Sequence, residues 1–272
     1  MADITPHPEF AKLIKEIEKL REEVSRLIEK RDYLRYHLSP QVNADYIKKI
    51  GVYEYKVFEF TIKVRRLRRK TELIRAKIAK DEIIIPSEIE SILDEEYADY
   101  EDRLQAELDR INSEMERGSG DFLSDSDGEE LKRLYRKVVK MLHPDLNPDQ
   151  TEREKIFFLK AVSAYERGDL DALRAIYVLA ESLDFYDRDN ADGDSLDATK
   201  EILTRRAEVL RNDIDKIENS FPLNKREFLE DEEAVAARRE DLEEELAGLR
   251  KVYDDYYRMH EELKNRGKWL DL

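Results

Sequence analysis

Apolar residues recur at spacings of three and four along most of the chain, with charged residues between them. The first seam runs Phe10, Leu13, Ile17, Leu20, Val24, Leu27, skips at Arg31, and resumes at Leu34 and Leu38. This is the a/d pattern of a coiled-coil helix. Ser39-Pro40-Gln41 is expected to break it, because proline cannot continue the backbone hydrogen bonding. A short segment, Asn43 to Gly51, then leads to a second helix with the seam Tyr53, Val57, Phe60, Val64, Leu67, Thr71, Ile74 and Ile78. The stretch "DEIIIPSEIE" ends that helix, and Ser87 with Glu90 forms a candidate capping box for a third. The third carries Ile89, Leu93, Tyr97, Tyr100, Leu104, Leu108, Ile111 and Met115. Near the C-terminus one seam holds Leu203, Leu210, Ile214 and Ile217 and stops at "SFPLNK". A longer one holds Val235, Leu242, Leu246, Leu249, Tyr253, Tyr256, His260 and Leu263. The pattern predicts an all-α protein in which long helical hairpins or coiled coils flank a small central unit. The aromatic-rich stripes could serve a client, but periodic apolar residues mark buried faces, and seam packing is the preferred reading.

Charge refines this picture. "KVRRLRRK" (63–70) is basic and "DEEYADYED" (94–102) acidic. If the chain reverses near Ile84, residues 63–70 face roughly 97–104, and an antiparallel hairpin pairs opposite charges. That reading displaces the alternative of a nucleic-acid or targeting patch. Charged residues make up 42% of the chain and the net charge is −16, which disfavours nucleic acid as a partner for the whole molecule. Two stretches rich in Gly, Ser and Asp, "ERGSGDFLSDSDGEE" and "DFYDRDNADGDSLD", read as linkers around the centre.

The central unit divides by helical face. Leu131, Leu134, Tyr135, Val138, Val139 and Leu142 form one apolar stripe, and Lys132, Arg133, Arg136, Lys137 and Lys140 take the remaining surface. Pro144 restricts His143 to extended conformations, so the helix must end at about Leu142. Asp149 with Glu152, or Thr151 with Glu154, can cap the following helix, whose apolar face holds Phe158, Ala161, Val162 and Tyr165. Gly168 ends it, and "DLDALRAIYVLAE" reads as one more short helix.

Taken together, "LYRKVVKMLHPDLNPD…FLKAVSAY" resembles the J-domain of DnaJ-type co-chaperones. In that family a basic second helix, with tyrosine eight residues before the histidine, leads into a His-Pro-Asp loop. A third helix then carries Phe and Ala-Tyr on its inner face. Tyr135, His143, Pro144, Asp145, Phe158, Ala164 and Tyr165 match residue by residue, as do the bases Arg136 and Lys137. Lys140 lies one position before the usual lysine, and Met141 stands in that place. The resemblance covers about residues 128 to 180; the long helices on both sides are similar to those of bacterial J-domain-containing proteins. The family's first helix is absent, and its basic fourth helix is replaced by "GDLDALRAIYVLAE". The apolar stripe of the basic helix must therefore find another cover, either the 169–181 helix or the flanking coiled coils.

The resemblance implies a protein that is not itself an enzyme. It would dock on the ATP form of a DnaK-type chaperone and accelerate ATP hydrolysis, with the coiled coils holding a client or partner of unknown identity. Its partner-binding residues would be His143, Pro144 and Asp145 with Lys132, Arg133, Arg136, Lys137 and Lys140. The basic face would steer association. Asp145, an acid isolated among bases, suits pairing with a partner arginine. The alternative is a structural scaffold whose J-like unit no longer acts on a chaperone.

Other chemistries find little support. The absence of cysteine removes disulfides, thiolate zinc sites and a catalytic thiol. His7, His37, His143 and His260 lack zinc spacing. A calcium loop aligned on Gly193 would put Arg188 and Thr199 at positions that need acids. There is no P-loop and no dinucleotide fingerprint. No cofactor or metal is expected, nor is a membrane partner, and a homodimer is left open. Without a secretory signal or a bilayer-length apolar stretch, the expected location is the cytoplasm. The expected division is a coiled-coil region at 1–117, an acidic linker at 118–130, the J-like unit at 131–183, an acidic loop at 184–197 and a helical hairpin at 198–272.

Overall fold

The computed structural model describes residues 8–117, 124–182 and 193–270. In chain order, α1 (Pro8–Tyr33) runs into a π-helical turn (Leu34–Leu38), α2 (Ser39–Tyr46), a second π-helical turn (Ile47–Gly51) and α3 (Val52–Ala79). A two-residue strand β1 (Ile83–Ile84) precedes α4 (Pro86–Arg117). The central helices are α5 (Asp125–Leu142), α6 (Glu152–Glu166) and α7 (Leu170–Glu181). They are followed by α8 (Gly193–Glu218), a 3-10 turn (Leu223–Lys225), α9 (Arg226–Glu230), α10 (Glu232–Lys264) and β2 (Lys268–Trp269). The fold is all-α; β1 and β2 form one short parallel pair.

Several local expectations are revised. Pro40 does not break the helix. The π-helical turn just before it lets Ser39 N–H reach back to the Leu34 carbonyl, shifting the hydrogen-bond register where proline has no N–H to give. Ser87 does not cap α4, because the helix already begins at Pro86. Proline suits a first helical position, and the Glu90 carboxylate is engaged elsewhere by Arg66 and Lys70. Residues 118–123 of the expected acidic linker and 184–192 of the expected acidic loop lie outside the described residues, and 125–130 and 193–197 are helical.

Chain contacts separate two units, Met1–Gln41 with Asp121–Asn224 and Val42–Gly120 with Lys225–Leu272. The two helices of the expected C-terminal hairpin, α8 and α10, belong to different units, and each packs on an N-terminal helix within its own unit. Both have apolar seams, and a seam specifies burial but not which seam it meets.

In the first unit α8 runs parallel to α1, stitched by Glu16–Lys200 (2.7 Å), Glu23–Arg211 and Lys30–Glu218 (2.8 Å). The antiparallel partner of α1 is α5, along Glu22–Lys140 (3.1 Å) and Glu29–Arg136 (2.9 Å). One core gathers Ile17, Val24 and Ile28 of α1, the stripe of α5, Ala161, Ala164 and Tyr165 of α6, Leu173 and Ala180 of α7, and Leu203, Ala207 and Leu210 of α8. The stripe of α5 is thus covered by α1, α6 and α7 together.

In the second unit α3 packs against both α4 and α10. The charged hairpin of α3 and α4 is present: Arg66 meets Glu90 (2.9 Å), Asp94 (2.5 Å) and Glu101 (3.3 Å), and Arg69 meets Glu96 (2.7 Å). Its acids span 90–101 rather than 97–104, because the chain turns earlier, at Asp81, which takes a left-handed φ of 55°. The turn is tied by Lys268 to Asp81 at 2.6 Å. Ile74, Ile84, Ile89, Leu93 and Leu263 form a core there, with Trp269 against it. Gly267 packs closely in this corner: a Cβ there would lie 2.5 Å from Ile84 Cδ1 and 3.0 Å from Trp269 Nε1, so a side chain would force one of them to shift.

Candidate functional site at the end of the basic helix

Helix α5 begins at Ser124, whose hydroxyl accepts from Asp127 N–H, and ends where Pro144 requires. His143 N–H still closes the last turn onto the Val139 carbonyl at 2.8 Å. Its own backbone then turns extended (φ −75°, ψ 133°). The loop satisfies the carbonyls that the helix end leaves open. Asn147 Nδ2 donates to the carbonyls of Lys140 (3.2 Å) and His143 (3.4 Å), and the Gln150 amide donates to that of Leu142. Thr151 and Glu154 then form a complete capping box for α6. Of the two candidate caps, this is the one used.

His143 is only 7% exposed. Its ring lies edge-on to Phe158, with centroids 5.0 Å apart, and Nδ1 accepts the Asp145 backbone N–H at 3.0 Å. That bond requires an unprotonated Nδ1. Burial pushes the imidazole pKa down to about 4. His143 therefore fixes the loop from inside it. Pro144 is exposed beside it, and Asp145 is partly exposed.

The aromatic pair of the motif is fully buried. Tyr135 stacks on Tyr165 with centroids 3.9 Å apart and a 10° interplanar angle. The Tyr135 hydroxyl donates to Asp32 Oδ2 at 2.8 Å in a buried bond from α5 to α1. Burial, then the Asp32 carboxylate, raises the tyrosine pKa.

The five bases divide into two groups. On one flank of α5, Lys132 stands over the Tyr33 ring (3.9 Å), and Arg136 and Lys140 reach Glu29 and Glu22 of α1. On the outer side Arg133 and Lys137 are exposed, as is much of Lys140. Lys137 Nζ donates to the Tyr177 hydroxyl at 3.2 Å. No carboxylate lies within ion-pair distance of Arg133 among the described residues.

Asp145 is in ion-pair contact with Arg206 of α8, although neither Asp145 Oδ2 nor Arg206 Nε has an aligned hydrogen bond. Sequence reasoning names neither Arg206 nor Asp32. Both depend on which helices pair with α5 and its loop, and nothing local to the motif carries that information. No protein-family model and no solved structure matches the chain.

Proposed function

We propose that this protein is a J-type co-chaperone that docks on a DnaK-type chaperone through His143, Pro144, Asp145 and the outer bases of α5. Docking would stimulate ATP hydrolysis by that partner in the cytoplasm. The observation that carries this reading is the corner itself. A basic helix ends in a loop that uses its own histidine as an internal strut, leaving Pro144 exposed and one carboxylate in contact with one arginine. A surface that already accommodates a guanidinium at Asp145 is chemically suited to accept one from a partner. Arg133, Lys137 and Lys140 face outward on an otherwise acidic protein and would draw in an acidic surface. In this reading the protein performs no bond chemistry of its own.

The test is single-turnover ATP hydrolysis by the DnaK-type chaperone of the same organism, with the full chain and its His143→Gln variant. Stimulation by the first and none by the second is the expected result. A second reading, a scaffold with a vestigial corner, is favoured by the ion pairs that Asp145, Arg136 and Lys140 already make inside the unit. A scaffold tolerates loss of His143 and Asp145, and neither protein would stimulate hydrolysis.

A further inference from the structure

The two helices that touch the J-like elements hold them in different ways. Helix α1 is part of the core: Ile17, Val24 and Ile28 are buried among residues of α5 to α8, and Tyr135 bonds Asp32 out of solvent. Removing α1 would leave the apolar stripe of α5 open, so α1 is a structural cover and not a removable one. Helix α8 buries Leu203, Ala207 and Leu210 in the same core, and Arg206 stands beside that face without joining it. Arg206 and Asp145 keep 31% and 30% of their side-chain surface exposed, although the two contacting atoms, Arg206 Nε and Asp145 Oδ2, are themselves buried. Asp145 is the only acid in ion-pair contact with Arg206 among the described residues.

We infer that Arg206 is a resident competitor for Asp145: α8 supplies from within the chain the cationic group that a partner's arginine must replace, and so latches the docking corner. The inference rests on the co-chaperone reading. The cover at the corner is a base, and the outer bases of α5 remain open. A partner can therefore engage Arg133 and Lys137 first and exchange at Asp145 afterwards. The contact between Arg206 Nε and Asp145 Oδ2 lacks hydrogen-bond alignment, so it is without the directional part of a charge-assisted bond. An incoming guanidinium with two aligned N–H groups would make the better partner. The exchange is then close to balanced, and Arg206 sets how much of the partner is needed to drive it.

The experiment uses full-length protein with Arg206→Gln, and Arg206→Met as a second variant that keeps the aliphatic stem. Each is titrated into single-turnover hydrolysis by the DnaK-type chaperone. Thermal unfolding checks that the fold is intact. The concentration for half-maximal stimulation should fall about tenfold in both variants, the effect of freeing one charge-paired contact. Asp145→Asn should abolish stimulation with or without Arg206. Unchanged or weaker stimulation by folded Arg206 variants, with His143→Gln still inactive, overturns the latch and leaves the co-chaperone reading standing. No stimulation and no chaperone binding by wild type or either Arg206 variant overturns that reading, and the latch with it.

Discussion

Two basic helical stretches on this acidic chain meet different fates. In α3, Arg66, Arg69 and Lys70 face the acids of α4, and Lys63 and Arg68 pair within their own helix with Glu59 and Glu72. In α5 only one flank finds acids, Glu29 and Glu22 of α1, while the opposite flank carries Arg133 and Lys137 outward. Density of positive charge does not tell the two apart, since 63–70 is the denser run. What separates them is the neighbour. An acidic helix lies along α3, whereas α1 meets α5 mainly through apolar residues and Tyr135. A charged run is a candidate docking face only after its own chain has had the first opportunity to neutralise it.

The largest expected effect tests the apolar side of that contrast. Tyr135→Ala removes a ring stacked on Tyr165 and the buried bond to Asp32. Large-to-small changes at buried aromatic positions cost about 3–5 kcal/mol. Urea unfolding should show that loss, and hydrogen exchange should place it in α1 and α5–α8 while α3, α4 and α10 keep their protection. Accelerated exchange in α3 and α10 as well would mean that the two units do not unfold separately.

Next in size is the pH response of the corner. The ordinary imidazole pKa is 6.5, and burial in the folded state lowers that of His143 to about 4. Asp145 and Asp32 favour protonation, while Arg31 and Arg206 oppose it. Above pH 6.5 the ring is neutral in folded and unfolded chains alike, and its contribution is fully present. Between pH 6.5 and 4 the unfolded chain takes up a proton that the folded chain resists, so stability falls through that window by up to about 3 kcal/mol. Unfolding measured at pH 7.5 and 4.5 should diverge more for wild type than for His143→Gln. An identical slope in the two proteins would show that the ring is not held neutral.

On the matched helix, Arg66→Ala breaks three contacts at once, with Glu90, Asp94 and Glu101. Exposed pairs are individually weak, and with the arginine one-quarter exposed the loss should be about 1 kcal/mol. It should shrink in 0.5 M salt. A salt-independent loss would assign the effect to packing of the arginine stem instead.

These predictions depend on features that the sequence reveals unevenly. The all-α class, the end of α5 at Leu142, the stop at Gly168 and the opposition of α3 to α4 all follow from local periodicity and from what proline, glycine and charge do to a backbone. The partners of α1 and α10 do not. A heptad seam states that a face is buried, but several seams of similar composition compete for it, and parallel pairing of α1 with α8 is as compatible with the pattern as a hairpin of α8 with α10. The same limit hides Arg206 and Asp32. Pro40 misleads for a different reason: a π-helical turn of a single extra residue absorbs the missing donor, and no residue pattern announces it. His143, Pro144 and Asp145 are legible as a corner, but the inward role of the histidine depends on Phe158 being packed against it.

The smallest effect on stability should carry the most information about docking. Arg133 is exposed and has no carboxylate within ion-pair distance among the described residues, so Arg133→Gln should alter unfolding by less than about 0.5 kcal/mol. If the outer face of α5 steers a chaperone, the same change should slow association severalfold, with the deficit fading as ionic strength rises. Arg66→Gln serves as the control, since its charge is already taken up by α4: it should lower stability slightly and leave association alone. Equal association deficits for the two variants would show that the chaperone responds only to net charge. No deficit for Arg133→Gln would remove the outer face of α5 from the docking surface and leave the His-Pro-Asp corner to act by itself.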